Sequence, residues 1–66
     1  MLSEQRYALI LEVLEKKRSI TVNELTELLN ISESTARRGI TALDKAGRLV
    51  KVFGGAIALE DSVLSS

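Results

Sequence analysis

STARRGITALDKAG, residues 34–47, sets two adjacent arginines, Arg37 and Arg38, in the middle of a helical pattern and follows them at once with Gly39. Ala36, Ile40 and Leu43 recur at helical spacing and make one apolar face. On a wheel of about 3.6 residues per turn the opposite face holds Ser34, Arg38, Thr41 and Lys45, with Thr35 and Arg37 on its two flanks. That outer face has no large apolar residue. Ser32 is a good N-cap for this helix, which is expected over residues 33–46 with Gly47 as its C-terminal cap.

Upstream, Thr21-x-x-Glu24 has the form of a capping box, in which hydroxyl and carboxylate satisfy each other's free amides. A second helix starts there. Leu25, Leu28 and Leu29 are its expected buried stripe, and Asn30, which tolerates the left-handed conformation, ends it. Only Ile31 then precedes the Ser32 cap, so the two helices are joined by a turn of about three or four residues and must cross steeply. Before them, Tyr7, Ile10, Leu11 and Leu14 fall at i, i+3, i+4 and i+7, which predicts an amphipathic first helix over residues 3–17 with Ser3 as N-cap. The Lys16, Lys17, Arg18 run reads as a solvated helix end, where the dipole favours positive charge.

Downstream, RLVKVFGGAIALE alternates two apolar runs around Gly54-Gly55, the pattern of a hairpin with a two-residue turn. Residues 19–21 can add a third strand. The expected fold is therefore mainly α with a small β-hairpin, a winged helix-turn-helix of three helices plus wing over residues 1–59. The polar, acidic EDSVLSS, residues 60–66, reads as the start of a linker to a C-terminal effector domain.

Composition narrows the function. Sixty-six residues bury a thin core, but 45% of them are apolar, which suits a folded domain. With neither cysteine nor histidine, disulfides and the usual zinc or haem ligands are lacking, and no cofactor or metal is expected. Nor is an enzyme expected, because there is no histidine and no paired carboxylates in an obvious cleft for acid-base work. No apolar run approaches the roughly 20 residues of a membrane span, and MLSEQRYA lacks the order of a signal peptide, so a cytoplasmic protein with no membrane partner is expected. Net charge is zero, yet residues 31–59 hold five basic and two acidic groups, a local positive field.

A helix-turn-helix followed by a hairpin suits double-stranded DNA, since the major groove, about 12 Å wide, admits one helix. Ser32, Ser34 and Thr35 let the backbone approach phosphates closely while hydroxyls and free amides donate to them. Singly, these hydroxyls are only caps and the arginines only a solvated face. On the outer face of the second helix of a tight turn, they point together to DNA. Neighbours on a helix diverge by about 100°, so Arg38 suits a guanine edge and Arg37 a phosphate. Lys51 is a second phosphate candidate, Gly54 and Gly55 would let the wing tip approach the backbone, and Thr21 and Thr41 complete the candidate DNA-binding set. The rival is a winged-helix protein-interaction module without DNA binding, which the neutral net charge would allow.

Arg6 with Ile10, ITVNELTELLNIS, STARRGI and LDKAGRLVKVFGGA together resemble the N-terminal domain of the DeoR-type family of bacterial transcriptional regulators, over about residues 6–58. The resemblance implies a winged helix-turn-helix repressor, usually of a sugar-metabolism operon. It further implies that a longer C-terminal domain binds a phosphorylated sugar and mediates homo-oligomerisation. It matches Ser34, Thr35, Arg37 and Arg38 to the family's recognition helix, and Lys51, Gly54 and Gly55 to its wing. Three positions depart from the family pattern, which usually has a larger aliphatic at Ala36, an aspartate at Gly39 and often a histidine at Phe53. Gly39→Ala is expected to stabilise the helix, and Arg6 is the candidate partner of an aspartate placed at 39.

Overall fold

Thr21 closes a strand and caps a helix at the same time, and the rest of the chain is arranged about that junction. The computed structural model describes residues 2–59. Its order is α1 (Ser3–Lys17), β1 (Ser19–Thr21), α2 (Val22–Leu29), α3 (Glu33–Lys45), β2 (Leu49–Val52) and β3 (Gly55–Ala58). The three strands form one antiparallel sheet in the order β1-β3-β2. This is the expected winged helix-turn-helix, third strand included. Residues 60–66, read as a linker, lie outside the described residues.

The local signals act mostly where they stand in the sequence. The Glu24 amide donates to Thr21 Oγ1 at 3.1 Å and the Thr21 amide to Glu24 Oε1 at 2.9 Å, which is the reciprocal capping box. Asn30 is left-handed at φ 55°, and Ser32 caps α3 by accepting from the Thr35 amide at 3.2 Å. At the end of α3, Gly47 has φ 75°, its amide donates to the Asp44 carbonyl at 3.0 Å, and the Arg48 amide donates to the Leu43 carbonyl at 2.9 Å. These two bonds close the helix in a Schellman motif. Ser3, expected to cap α1, is instead its first helical residue. The Arg6 amide reaches back to the Leu2 carbonyl at 3.0 Å, so Leu2 is the flanking residue, and its own amide is met by Gln5 Oε1 at 3.4 Å.

All three helices bury one stripe against the sheet. Ile10 and Leu14 of α1, Val22 and Leu25 of α2, and Ala36, Ile40 and Leu43 of α3 close on Ile20, Leu49, Ala56 and Ala58. Leu28, expected in the α2 stripe, is 57% exposed. Val22, Leu25 and Leu29 already define the inward face of this short helix, and Leu28 stands about 100° round from Leu29. Full burial of a Leu, Ile or Val side chain contributes about 1.5–3 kcal/mol, so a core of this size holds the domain together without a large margin.

Two glycines have their reasons in this packing. The hairpin turn is Phe53-Gly54, not Gly54-Gly55: Val52 pairs with Gly55, and Gly55 is the buried first residue of β3. A Cβ there would lie 2.2 Å from the Ile20 carbonyl oxygen and 2.9 Å from Thr21 Cα. Gly39 is buried where α3 crosses α1, and a Cβ on it would meet Ile10 Cδ1 at 3.1 Å and Arg6 Nε at 3.8 Å. Arg6 Nε is buried and has no hydrogen-bond partner. The larger aliphatic that the resemblance implies at 36 is absent, and Ala36 itself is fully buried.

Gly55→Ala should destabilise the domain by about 1–3 kcal/mol or unfold it, because backbone rather than a pliable side chain stands in the way, and thermal unfolding measures this. Gly39→Ala pits a helix-propensity gain of about 0.5–1 kcal/mol against a tight contact. In the native background the two should nearly cancel, in place of the plain gain expected from the sequence. In an Ile10→Val background, which removes Cδ1, the same substitution should stabilise by the full propensity gain. A double-mutant cycle by thermal melting checks the coupling.

Candidate nucleic-acid interface

α3 presents its outer face to solvent because its apolar stripe is fully engaged on the other side. Ser34, Arg37, Arg38 and Lys45 are exposed there, and Thr35 and Thr41 are half-buried at its margins. The Arg38 guanidinium has no hydrogen bond or ion pair to any described residue, so its five donors face solvent. Arg37 pairs with Glu33 one turn earlier at 2.6 Å, with both side chains about two-thirds exposed. An exposed i,i+4 pair is worth about 0.3–0.5 kcal/mol, so a phosphate can displace Glu33 at small cost.

The hairpin is fastened to this helix by two polar contacts. Asp44 Oδ1 of α3 accepts from the Lys51 amide at 3.2 Å, satisfying an outward amide of the edge strand β2. Lys51 Nζ donates to Thr41 Oγ1 at 3.2 Å. Two candidate residues from separate elements, Lys51 of β2 and Thr41 of α3, are thus brought into direct contact. A third bond runs from the Val22 amide to the Gly54 carbonyl at 2.9 Å and ties the turn to the start of α2. Between α3 and the hairpin lies a cleft of about 270 Å³, with Arg37 and Lys51 among its lining, Val22 and Ile40 as apolar floor, and Val52, Phe53, Gly54 and Gly55 along the hairpin.

Of the sequence candidates, Ser34, Arg37, Arg38, Thr41 and Lys51 share this one face. Ser32 and Thr35 stand at the start of α3, where the Ser32 hydroxyl also donates to Thr35 Oγ1 at 2.9 Å. Thr21 is exposed at the start of α2, with its hydroxyl oxygen engaged in the capping box. Gly54 is at the hairpin tip with φ 80° and open space about it. Gly55 departs from the expectation: it is buried in the sheet, and its missing side chain makes room for β1 rather than for a ligand. Sequence reasoning passed over Phe53 and Asp44. Phe53, in sequence only a departure from the family pattern, is put at the tip by the hairpin register. Asp44 stands at the hairpin end of α3, but its partner, the Lys51 amide, follows only from the hairpin register.

Residues 6–62 match the family described as the DeoR-like helix-turn-helix domain. The chain belongs to that family. Over 61 residues it is 43% identical to an uncharacterized HTH-type transcriptional regulator, FruR of Bacillus subtilis (strain 168), an alignment covering 92% of this chain and 24% of that protein. Over 59 residues it is 44% identical to the HTH-type transcriptional regulator UlaR of Escherichia coli (strain K12 / DH10B), covering 89% of this chain and 24% of the relative. The same figures hold for UlaR of Shigella boydii serotype 18. The chain thus spans about a quarter of the length of these relatives. No solved structure matches it with significance. A DeoR-like helix-turn-helix domain is a DNA-binding module of transcription regulation, and the protein-interaction reading loses its ground. No helix among the described residues is long and apolar enough to cross a membrane.

The Glu24 carboxyl of the capping box is held below the ordinary carboxylate range, first by its hydrogen bond from Lys17 Nζ and then by the Thr21 amide, against a smaller opposing effect of burial. A depressed folded-state pKa means that its stabilisation is complete above the ordinary carboxylate range and is lost as pH falls through it to the folded value. Glu24→Gln keeps an oxygen for the Thr21 amide and removes the charge. Melting temperature followed from neutral into acid should therefore fall less steeply in Glu24→Gln than in the native chain.

Proposed function

We propose that this domain reads double-stranded operator DNA, with α3 in the major groove and the hairpin on the flanking backbone, as the N-terminal part of a longer bacterial repressor. The observation that carries the reading is the exposed, unpaired Arg38 at the centre of the outer face of α3, with Arg37 and Lys51 on the two sides of the adjoining cleft. Arg38 takes the base edge, where a guanine offers O6 and N7 to a bidentate guanidinium. Arg37 and Lys51 take phosphates, and Ser32, Ser34, Thr35, Thr21, Thr41 and Gly54 let the backbone come close enough for short polar contacts.

The remaining features rest on the family resemblance and on the greater length of the relatives. The full-length protein is cytoplasmic, acts as a homo-oligomer on repeated half-sites, and controls a sugar-metabolism operon. Its C-terminal effector domain, which follows a linker beginning near residue 60, binds a phosphorylated sugar. The domain itself uses no cofactor or metal and catalyses no reaction.

Titration of the chain against duplexes that it selects from a randomised pool tests the reading. Arg38→Ala should cost about 1–3 kcal/mol and relax preference at one base position, whereas Lys51→Ala should weaken all duplexes alike and reduce the salt slope by about one. Equal, sequence-independent losses for the two variants would refute the base-reading role of Arg38.

A further inference from the structure

Phe53 is the largest fully solvated side chain of the domain, with a relative exposure of 107%. The fold does not ask for it. Of the two turn residues only Gly54 has a positive φ, at 80°, so position 53 accepts ordinary side chains, and the phenyl ring contributes nothing to the core. A ring of this size left in water forgoes about 1.5–3 kcal/mol of burial, which a binding partner can recover. Neighbouring Val52 is also 39% exposed, and both residues border the cleft that Arg37 and Lys51 line. The tip is held in place rather than loose, since the Gly54 carbonyl accepts from Val22 and β2 is fixed to α3 through Asp44.

We infer that Phe53 is an apolar minor-groove contact that makes DNA recognition by this domain sensitive to local deformability. The inference rests on the DNA-binding reading above. With α3 in the major groove, the cleft beside it takes the sugar-phosphate strand that bounds that groove, its phosphates against Arg37 and Lys51. The hairpin tip then lies beyond that strand, at the next minor groove. A phenyl ring has no donor or acceptor with which to read base edges there. It packs on deoxyriboses and pries at the base step below, which is easiest at the pyrimidine–purine steps TA and CA. A protein partner suits the ring less well, because the cleft that it borders is also lined by the cations Arg37 and Lys51.

The test uses the chain with duplexes it selects, varying only the step under the hairpin tip. Phe53→Ala should melt like the native domain and bind roughly tenfold more weakly at the preferred pyrimidine–purine step, with an unchanged salt slope, because no phosphate contact is lost. It should also lose the preference for that step, which Phe53→Trp should retain. Native affinity and native step preference in Phe53→Ala, while the native chain binds well, would overturn the inference and leave the DNA-binding reading standing. A fall in salt slope would overturn it too, by showing that the ring acts only through the cations. If the native chain selects no duplex at all, the reading beneath the inference fails and the inference falls with it.

Discussion

The close approach of β3 to β1 at Gly55 is the constraint on which the architecture depends. With no side chain at 55, the Ile20 carbonyl and Thr21 Cα sit where a Cβ would be, and the three-residue strand β1 is pressed onto the centre of the sheet. Thr21 ends that strand and caps α2, so fixing β1 fixes the start of α2 in position and direction. The tight connection over residues 30–32 then hands the placement on to α3. A glycine in the hairpin therefore sets the aim of a helix lying far from it in sequence. A short edge strand of this kind has few hydrogen bonds of its own, and steric fit at one residue does what strand length does in larger sheets.

From the same junction follows the rigidity of the interface. Its charged groups come from α3 and β2, and their relative placement is held by Asp44 on the Lys51 amide, by Lys51 Nζ on Thr41, and by the Gly54 carbonyl on α2. Each contact satisfies a backbone or side-chain group that would otherwise need water, so docking the hairpin leaves few polar groups to resolvate. Preorganisation matters here because the domain is small. Cations held at fixed spacing match phosphates on a regular helix without first losing conformational freedom.

The fold was legible in the sequence to the extent that its signals are local. Thr21-x-x-Glu24, Asn30, Ser32 and Gly47 are punctuation that acts through neighbours one turn away, and each sits where its chemistry implies. Apart from the one-residue shift of the α1 cap from Ser3 to Leu2, which is local, the misreadings share one cause. The roles of Gly55 and Leu28 depend on which distant backbone or side chain lies opposite, and a pattern of spacing along one segment has no record of that. Gly39 shows the same limit: within α3 it looks like a weak residue open to improvement, but its surroundings are Ile10 and Arg6 of another helix. Of the interface, the reading face was visible as a helical wheel, while the Asp44 clasp and the exposed ring of Phe53 needed the hairpin register.

A chain with zero net charge has no long-range pull toward DNA, and the charge layout shows how a local site can work regardless. At physiological ionic strength the screening length is about 8 Å, so a phosphate at the cleft would sense chiefly the groups that line or adjoin it, Arg37 and Lys51 together with Glu33 and Asp44. The few phosphate contacts this allows limit the affinity of a single domain, since each contributes only a counterion's release to the non-specific term. Linking two such domains raises the local concentration of the second near its half-site and lifts affinity without a new contact. Weak single-domain binding would therefore accord with the repeated half-sites proposed for the full-length protein. In that proposal the linkage of domains would supply the affinity, and each domain the direction in which its arginines point.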